Sequence, residues 1–193
     1  DKGYGGIEAM SGIPGSVGGA IFGNAGAYGQ IISDNLVKVK VFDGKKVFWI
    51  DKMACKFNYR ESVFKENKFV ILEAEFKFSR GKTEVLRQKA DRIIKIRKQK
   101  YPLDIKCPGS FFKNIEADKL PKKILAKIPE DKIIFGKIPA GYLMEAVGAR
   151  DKRKGDVKIA EYHGNLIMNL GKGSTFDFYN LAFEYSKKVE KKF

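Results

Sequence analysis

Histidine and cysteine are nearly missing from this chain of 193 residues: one His, at position 163, and two Cys, at 55 and 107. The cysteines are far apart and lack CxxC spacing, so neither a structural zinc site nor a disulfide framework is expected. A lone histidine argues against a histidine-rich metal centre, and no metal ligand set is assigned. A reducing cytoplasm suits this usage. No apolar run approaches the roughly 18–20 residues needed to cross a bilayer, and no signal peptide opens the chain. The first residue is Asp1 and not Met, which points to an N-terminus elsewhere. Internal repeats and low-complexity segments are also missing.

Acidic residues are outnumbered, 23 against 38 Lys and Arg, for a formal net charge of +15. Such a balance suits a polyanionic partner, whether nucleic acid, an anionic membrane surface or a phosphate-bearing small molecule, and it also suits plain solubility. The lysines are spread along the chain and define no single stripe. A hydrophobic share of 44% and a charged share of 32% are those of a globular protein.

Glycine is abundant at one place. "GIPGSVGGAIFGNAGAYG" (12–29) holds seven glycines in eighteen residues. Because glycine loses the most backbone freedom on folding, such a cluster marks unusual dihedrals or a close backbone approach. The spacing is neither that of a Rossmann fingerprint nor that of a Walker A loop, and "GKGST" (171–175) fails the latter too. One reading is a tight turn without a ligand. The other is a backbone surface pressed against a flat or anionic group, with free N–H groups aimed at it.

Downstream, "LVKVKVFDGKKVFWI" (36–50) alternates around Asp43-Gly44 and predicts a hairpin, and "FVILEAEFKFS" (69–79) predicts another strand. The first 80 residues therefore read as strands and loops. "TEVLRQKADRIIKIRKQK" (83–100) has a helical apolar pattern, with Thr83 as its cap and Pro102 as its stop. Beyond it, helices are expected at 120–128, at 140–148 and from Ser174, where Ser174 and Asp177 make an S-x-x-D capping pattern. Strands are expected at 132–135 and 165–169. This half reads as a small α+β domain.

Two further stretches stand out. "FNYRESVFK" (57–65) sets Arg60 between Tyr59 and Glu61, which alone would be a surface ion pair. "PGSFFKN" (108–114) places Ser110 after a glycine and before two phenylalanines. It is not a G-x-S-x-G elbow, and nothing marks His163 as its base, so a Ser-His-Asp hydrolase is poorly supported.

Taken together and in this order, "GIEAMSGIPGSVGGAIFGNAGAYG", "FNYRESVFK", "GSFFKN", "AGYLMEAVG" and "AEYHGNLIMN" resemble the UDP-N-acetylenolpyruvoylglucosamine reductases, the MurB-type flavoenzymes, in the form without a long substrate-domain insertion. The resemblance covers essentially the whole chain. It implies an α+β architecture: residues 1–82 as the second part of an FAD-binding domain of the vanillyl-alcohol-oxidase-like type, 83–101 as a connecting helix, and 102–193 as a substrate-binding domain. It implies FAD as cofactor, NADPH as hydride donor and UDP-N-acetylglucosamine enolpyruvate as substrate, with neither nucleic acid nor membrane as partner.

By the same resemblance, Gly12, Ile13, Pro14, Gly15, Ser16, Gly18, Gly19, Asn24, Gly26 and Ala27 would line the flavin. Arg60 would stabilise charge developing on the enolpyruvyl carboxylate, and Ser110 would protonate the carbanionic carbon. Lys100, Asn114 and Lys137 would hold the UDP portion. Ile115 departs from the family, which usually has proline there, and Cys55 is read as packing. The resemblance also implies a flavin-pyrophosphate loop before the glycine run and a catalytic glutamate beyond Phe193. The chain alone is therefore expected to bind FAD weakly or not at all and to be inactive. The competing readings are a noncatalytic degenerate relative and a basic nucleic-acid-binding module. For the latter only the charge speaks, since no aromatic–basic RNA motif, helix-turn-helix or zinc spacing is present.

Overall fold

The computed structural model describes residues 2–101 and 106–193, leaving aside the side chain of Lys100. Helices and strands mix along the chain in an α+β arrangement, grouped into two compact units, Asp1–Pro102 and Leu103–Phe193.

In the first unit the strands are β1 (Tyr4–Gly5), β2 (Gly26–Ala27), β3 (Gln30–Ile31), β4 (Leu36–Phe42), β5 (Val47–Asp51), β6 (Val70–Phe76) and β7 (Ser79–Arg80). The central sheet is antiparallel in the order β5-β4-β6. Period-two alternation sets its faces: Val39 and Val41 of β4 are fully buried, while Lys38 and Lys40 point the other way. There they pair with Glu75 at 3.0 Å and Glu73 at 2.8 Å and sit over the Trp49 ring. The expected hairpin forms around Asp43, whose Oδ1 accepts from the amides of Lys45 and Lys46, both at 2.8 Å. On the buried face, Val39 and Val41 join Ile21, Ile32, Leu36, Cys55, Val63 and Phe64 in one core.

Residues 1–80 are not only strands and loops. Helix α1 (Val17–Phe22) lies inside the glycine run. Two glycines in six residues oppose a helix by about 1 kcal/mol each relative to alanine. Tertiary packing outweighs them: Ile21 is fully buried, and Ser16 Oγ caps the start by accepting from the Gly19 amide at 3.0 Å. Helix α2 (Thr83–Lys100) begins with Thr83 as its first turn, so Lys82 and not Thr83 holds the cap position. Pro102, the expected stop, falls outside the described residues. The helix packs against β1 and the turn at Glu8–Met10, with Leu86 filling the space a side chain on Gly5 would need.

The second unit contains β8 (Ile115–Glu116), β9 (Lys137–Ile138), β10 (Arg153–Lys154), β11 (Val157–Ile159) and β12 (Ile167–Asn169), with helices α3 (Lys122–Leu125), α4 (Ala140–Ala146) and α5 (Thr175–Lys192). A β10-β11-β12 meander packs its buried Val157, Ile159 and Ile167 against Leu181, Ala182 and Tyr185 of α5. The strand expected at 132–135 is absent: a 3₁₀ turn covers Glu130–Lys132, and Ile134 pairs with Lys137 across a tight turn through Phe135 (φ 49°) and Gly136 (φ 69°). A left-handed pair of that kind reverses the chain before a strand can extend. Among the described residues, no helix is long and apolar enough to cross a membrane.

The capping box of α5 is complete: Ser174 Oγ accepts from the Asp177 amide at 3.1 Å, and Asp177 Oδ2 accepts from the Ser174 amide at 3.2 Å. Replacing Ser174 with Ala should lower stability by about 1 kcal/mol, measured by denaturant unfolding. The Ser174 hydroxyl and amide hold the Asp177 carboxyl below its ordinary value. Because the native value is the lower one, this contribution is full above the usual carboxylate range and is lost as pH falls through the native value. The stability of Asp177→Asn should therefore decline less steeply than that of the parent below about pH 4.

Candidate active-site residues

The C-terminal end of α1 leaves carbonyls that its own turns cannot satisfy. The "YRES" segment takes up that of Phe22, and two more in the chain that follows, those of Asn24 and Gly26. Ser62 Oγ donates to the Phe22 carbonyl at 2.6 Å, Arg60 Nη1 to the Asn24 carbonyl at 3.3 Å, and Arg60 Nη2 to the Gly26 carbonyl at 2.7 Å. In return, Asn24 Nδ2 donates to the Asn58 carbonyl at 2.9 Å. Arg60 rides on a tight turn closed by mutual backbone bonds between Asn58 and Glu61, at 3.1 and 3.0 Å. Its backbone is left-handed at φ 56°, a conformation that costs a non-glycine residue about 1–2 kcal/mol. Lys65 Nζ donates to the Arg60 carbonyl at 2.6 Å and braces the turn. Two of the guanidinium donors are thus fixed on backbone carbonyls, and the guanidinium lies 5.5 Å from the Tyr59 ring centroid.

The glycines of the run divide by what they face. A Cβ on Gly26 would lie 2.4 Å from Ile31 Cγ2, so the β2-β3 hairpin itself demands glycine. Gly18 looks toward Ile71 of β6, and Gly19 toward the capping Ser16 Oγ. Gly15 is different: φ is 151°, and a Cβ there would meet nothing within 4 Å. Gly12, Ile13, Pro14, Gly15, Ser16 and Val17 are all exposed, and Ala27 is half-buried on β2. A low-relief face with exposed apolar Ile13 and Val17 fits a flat apolar ring such as the flavin that the resemblance implies. Asn24, by contrast, is 3% exposed and bound into the Arg60 network, with its Oδ1 unpartnered among the described residues.

Helix α2 contributes a residue with no motif to announce it. Arg97 Nη2 donates to the Ala9 carbonyl at 3.2 Å, and its guanidinium lies 5.4 Å from the Tyr28 ring centroid. Ile94, one turn earlier, faces Gly12. The Lys100 side chain lies outside the described residues. Cys55 is fully buried in the core, and burial, reinforced by Asp51, pushes its thiol up to about 11. It is packing and not a nucleophile.

In the second unit, Ser110 is exposed and forms a backbone bridge with Leu166. The next two residues are held by Asn165: the Phe111 amide donates to its carbonyl at 2.9 Å, and the Phe112 amide to its Oδ1 at 2.7 Å. Asn165 Nδ2 donates to the Phe112 carbonyl at 2.8 Å. His163 Nδ1 accepts from the Asn165 amide at 3.1 Å, so that ring nitrogen braces the loop. Asn114 Oδ1 accepts from the Ala140 amide at 3.0 Å and caps α4, which starts after Pro139 and has no local cap. The β8-β9 pair sets Lys137 opposite Glu116, one strand position beyond Asn114 and Ile115. The Glu116 carboxyl is held below its usual range by the Lys119 ammonium at 2.7 Å, helped by the charges of Lys113 and Lys137. Lys137 thus lies in β9 and Asn114 just before its partner strand β8, beside Glu116 and the lysines around it.

Two consequences are measurable. Ser62→Ala should cost about 1 kcal/mol in denaturant unfolding, because the Phe22 carbonyl loses its hydroxyl partner. At pH 8 a thiol reagent should leave Cys55 unmodified until the chain is unfolded; modification in the native state would contradict its packed role.

Residues 101–193 match the family model described as the UDP-N-acetylenolpyruvoylglucosamine reductase C-terminal domain. The UDP-N-acetylenolpyruvoylglucosamine reductase of Solibacter usitatus is 39% identical over 193 residues, covering 100% of this chain and 62% of that protein. The protein of the same name from Thermotoga petrophila is 38% identical over 190 residues, covering 98% of this chain and 60% of that one. The crystal structure of UDP-N-acetylenolpyruvylglucosamine reductase from Thermus caldophilus superposes with a TM-score of 0.76 at 26% identity, over 96% of this chain and 61% of the other. The chain thus spans about three-fifths of the length of the relatives it matches. Its C-terminal part thus matches that family model, and the chain along its whole length is similar to a part of these UDP-N-acetylenolpyruvoylglucosamine reductases.

Proposed function

We propose that this chain is part of a cytoplasmic, NADPH-dependent flavoenzyme that reduces UDP-N-acetylglucosamine enolpyruvate to UDP-N-acetylmuramate during peptidoglycan precursor synthesis. Its relatives' names supply the substrate class. The observation that carries the reading is the Arg60 guanidinium, tethered to the carbonyls of Asn24 and Gly26 at the end of the glycine run. In this reading the first unit belongs to the FAD-binding domain and the second binds the substrate. FAD, when bound, supplies the two-electron chemistry that passes hydride equivalents from NADPH to the enolpyruvyl double bond.

Gly12, Ile13, Pro14, Gly15, Ser16, Gly18, Gly19, Asn24, Gly26 and Ala27 then line the flavin, and the Asn24 and Gly26 carbonyls tie this stretch to Arg60. Reduction of the double bond drives negative charge onto the enolpyruvyl carboxylate. A guanidinium already fixed in place stabilises that charge without reorganising, and so favours the transition state over the ground state. The planar fork suits a carboxylate better than a lysine would. Ser110 donates the proton to the carbon beside the carboxylate. Asn114, Lys137 and Lys100 bind the diphosphate and uridine, and the net charge of +15 speeds capture of both anionic nucleotides.

The test uses the complete, flavin-loaded polypeptide in stopped flow. NADPH should bleach the flavin, and the enolpyruvyl UDP-sugar should restore its colour; a wild-type flavin that the sugar cannot reoxidise overturns the reading. Ser110→Ala should leave bleaching unchanged and slow reoxidation by about 10²–10⁴-fold. Equal loss in both half-reactions would remove Ser110 from the role of acid.

A further inference from the structure

We infer that Asn165 is the positioning residue that aims Ser110. The inference rests on the reading of Ser110 as the proton donor. Ser110 is preceded by Gly109, whose φ is 85° and around which a Cβ would meet nothing within 4 Å. Gly109 is therefore a permissive joint between Ser110 and the hold on its N-terminal side, where the Lys106 carbonyl accepts from the Asn169 amide at 2.9 Å. The nearer hold is on the C-terminal side, where Asn165 binds the next two residues.

The hold is specific. The side-chain amide of Asn165 both accepts from the Phe112 amide, at 2.7 Å, and donates to the Phe112 carbonyl, at 2.8 Å. Its own carbonyl accepts from the Phe111 amide at 2.9 Å, and the following residue, Leu166, bridges Ser110 itself. One residue thus extends a strand-like pairing across a segment that has no strand partner of its own. Asn165 is 1% exposed, so these bonds are shielded from competing water. Aspartate would lose the donor, glutamine is one methylene too long, and leucine could do neither. Phe111 adds a second anchor by packing 5.1 Å from the Phe178 ring of α5. Asn165 touches the loop and not the reacting atoms; its effect is on where the hydroxyl stands, and a misplacement of ~1 Å costs roughly 10²-fold in rate.

Three measurements on the complete, flavin-loaded protein test this. Asn165→Ala should slow flavin reoxidation by the enolpyruvyl UDP-sugar by roughly 10²-fold and leave bleaching by NADPH unchanged. In the Ser110→Ala background the same change should have almost no further effect, because a positioning residue has nothing left to position. Hydrogen exchange should show faster exchange of the Phe111 and Phe112 amides, with β11 and β12 still protected. Asn165→Asp keeps the size and one acceptor; it should slow reoxidation roughly tenfold and carries the test where the alanine variant does not fold. Slowing that multiplies with Ser110→Ala, equal loss in both half-reactions, or unchanged exchange at 111–112 would each overturn the inference. If Ser110→Ala itself leaves reoxidation untouched, the role of Ser110 fails instead, and the two failures are told apart by that one variant.

Discussion

Three carbonyls at and just beyond the end of a six-residue helix, those of Phe22, Asn24 and Gly26, tie the glycine run to the "YRES" segment. A helix this short and this rich in glycine is not stable by itself. It persists because its N-terminus is capped locally by Ser16, its Phe22 carbonyl accepts from Ser62, and its Ile21 is fully buried. The glycine run and the "YRES" turn are therefore one structural object. Neither holds its shape without the other.

The second unit solves a similar problem with a neutral group. A loop of exposed residues needs a defined path, and a buried amide side chain supplies the donor and acceptor that a neighbouring strand would have given. Asn114 does the same for the start of α4, where Pro139 cannot. In each unit the candidate chemical group, Arg60 or Ser110, is held through backbone groups and not through long surface ion pairs. The many Lys–Glu contacts on the surface, such as Lys187–Glu190 and Lys188–Glu184, add little by comparison.

What could be read in the sequence was whatever depends on neighbours a few residues apart. The Asp43 turn, the alternation of β4 and the Ser174–Asp177 box are local, and the structure has them as expected. Helix α1 was not legible, because local propensity points against it and its support, the burial of Ile21 and the Ser62 bond to the Phe22 carbonyl, is long-range. The tight turn at Phe135 was missed for the opposite reason: "KIIF" has strand composition, and only the left-handed backbone at Phe135 and Gly136 prevents a strand. The resemblance to the reductases pointed to Arg60 and Ser110. Asn165 and Arg97 stand in no chemical pattern, and only three-dimensional contacts single them out.

In the function proposed above, Arg60 carries two demands that select the same side chain. Capping two carbonyls that belong to different residues needs two divergent donors in a rigid plane, which a single ammonium cannot provide. Stabilising a planar carboxylate as it gains charge needs the same plane and a permanent cation. Removing the guanidinium therefore frees the Asn24 and Gly26 carbonyls and loosens the segment after α1 at the same moment as it removes the charge. Removing the Ser62 hydroxyl disturbs the same helix end through the Phe22 carbonyl but leaves the cation in place. The pair separates folding from chemistry at this corner: whatever Ser62→Ala leaves intact belongs to the charge, and whatever it loses belongs to the cap.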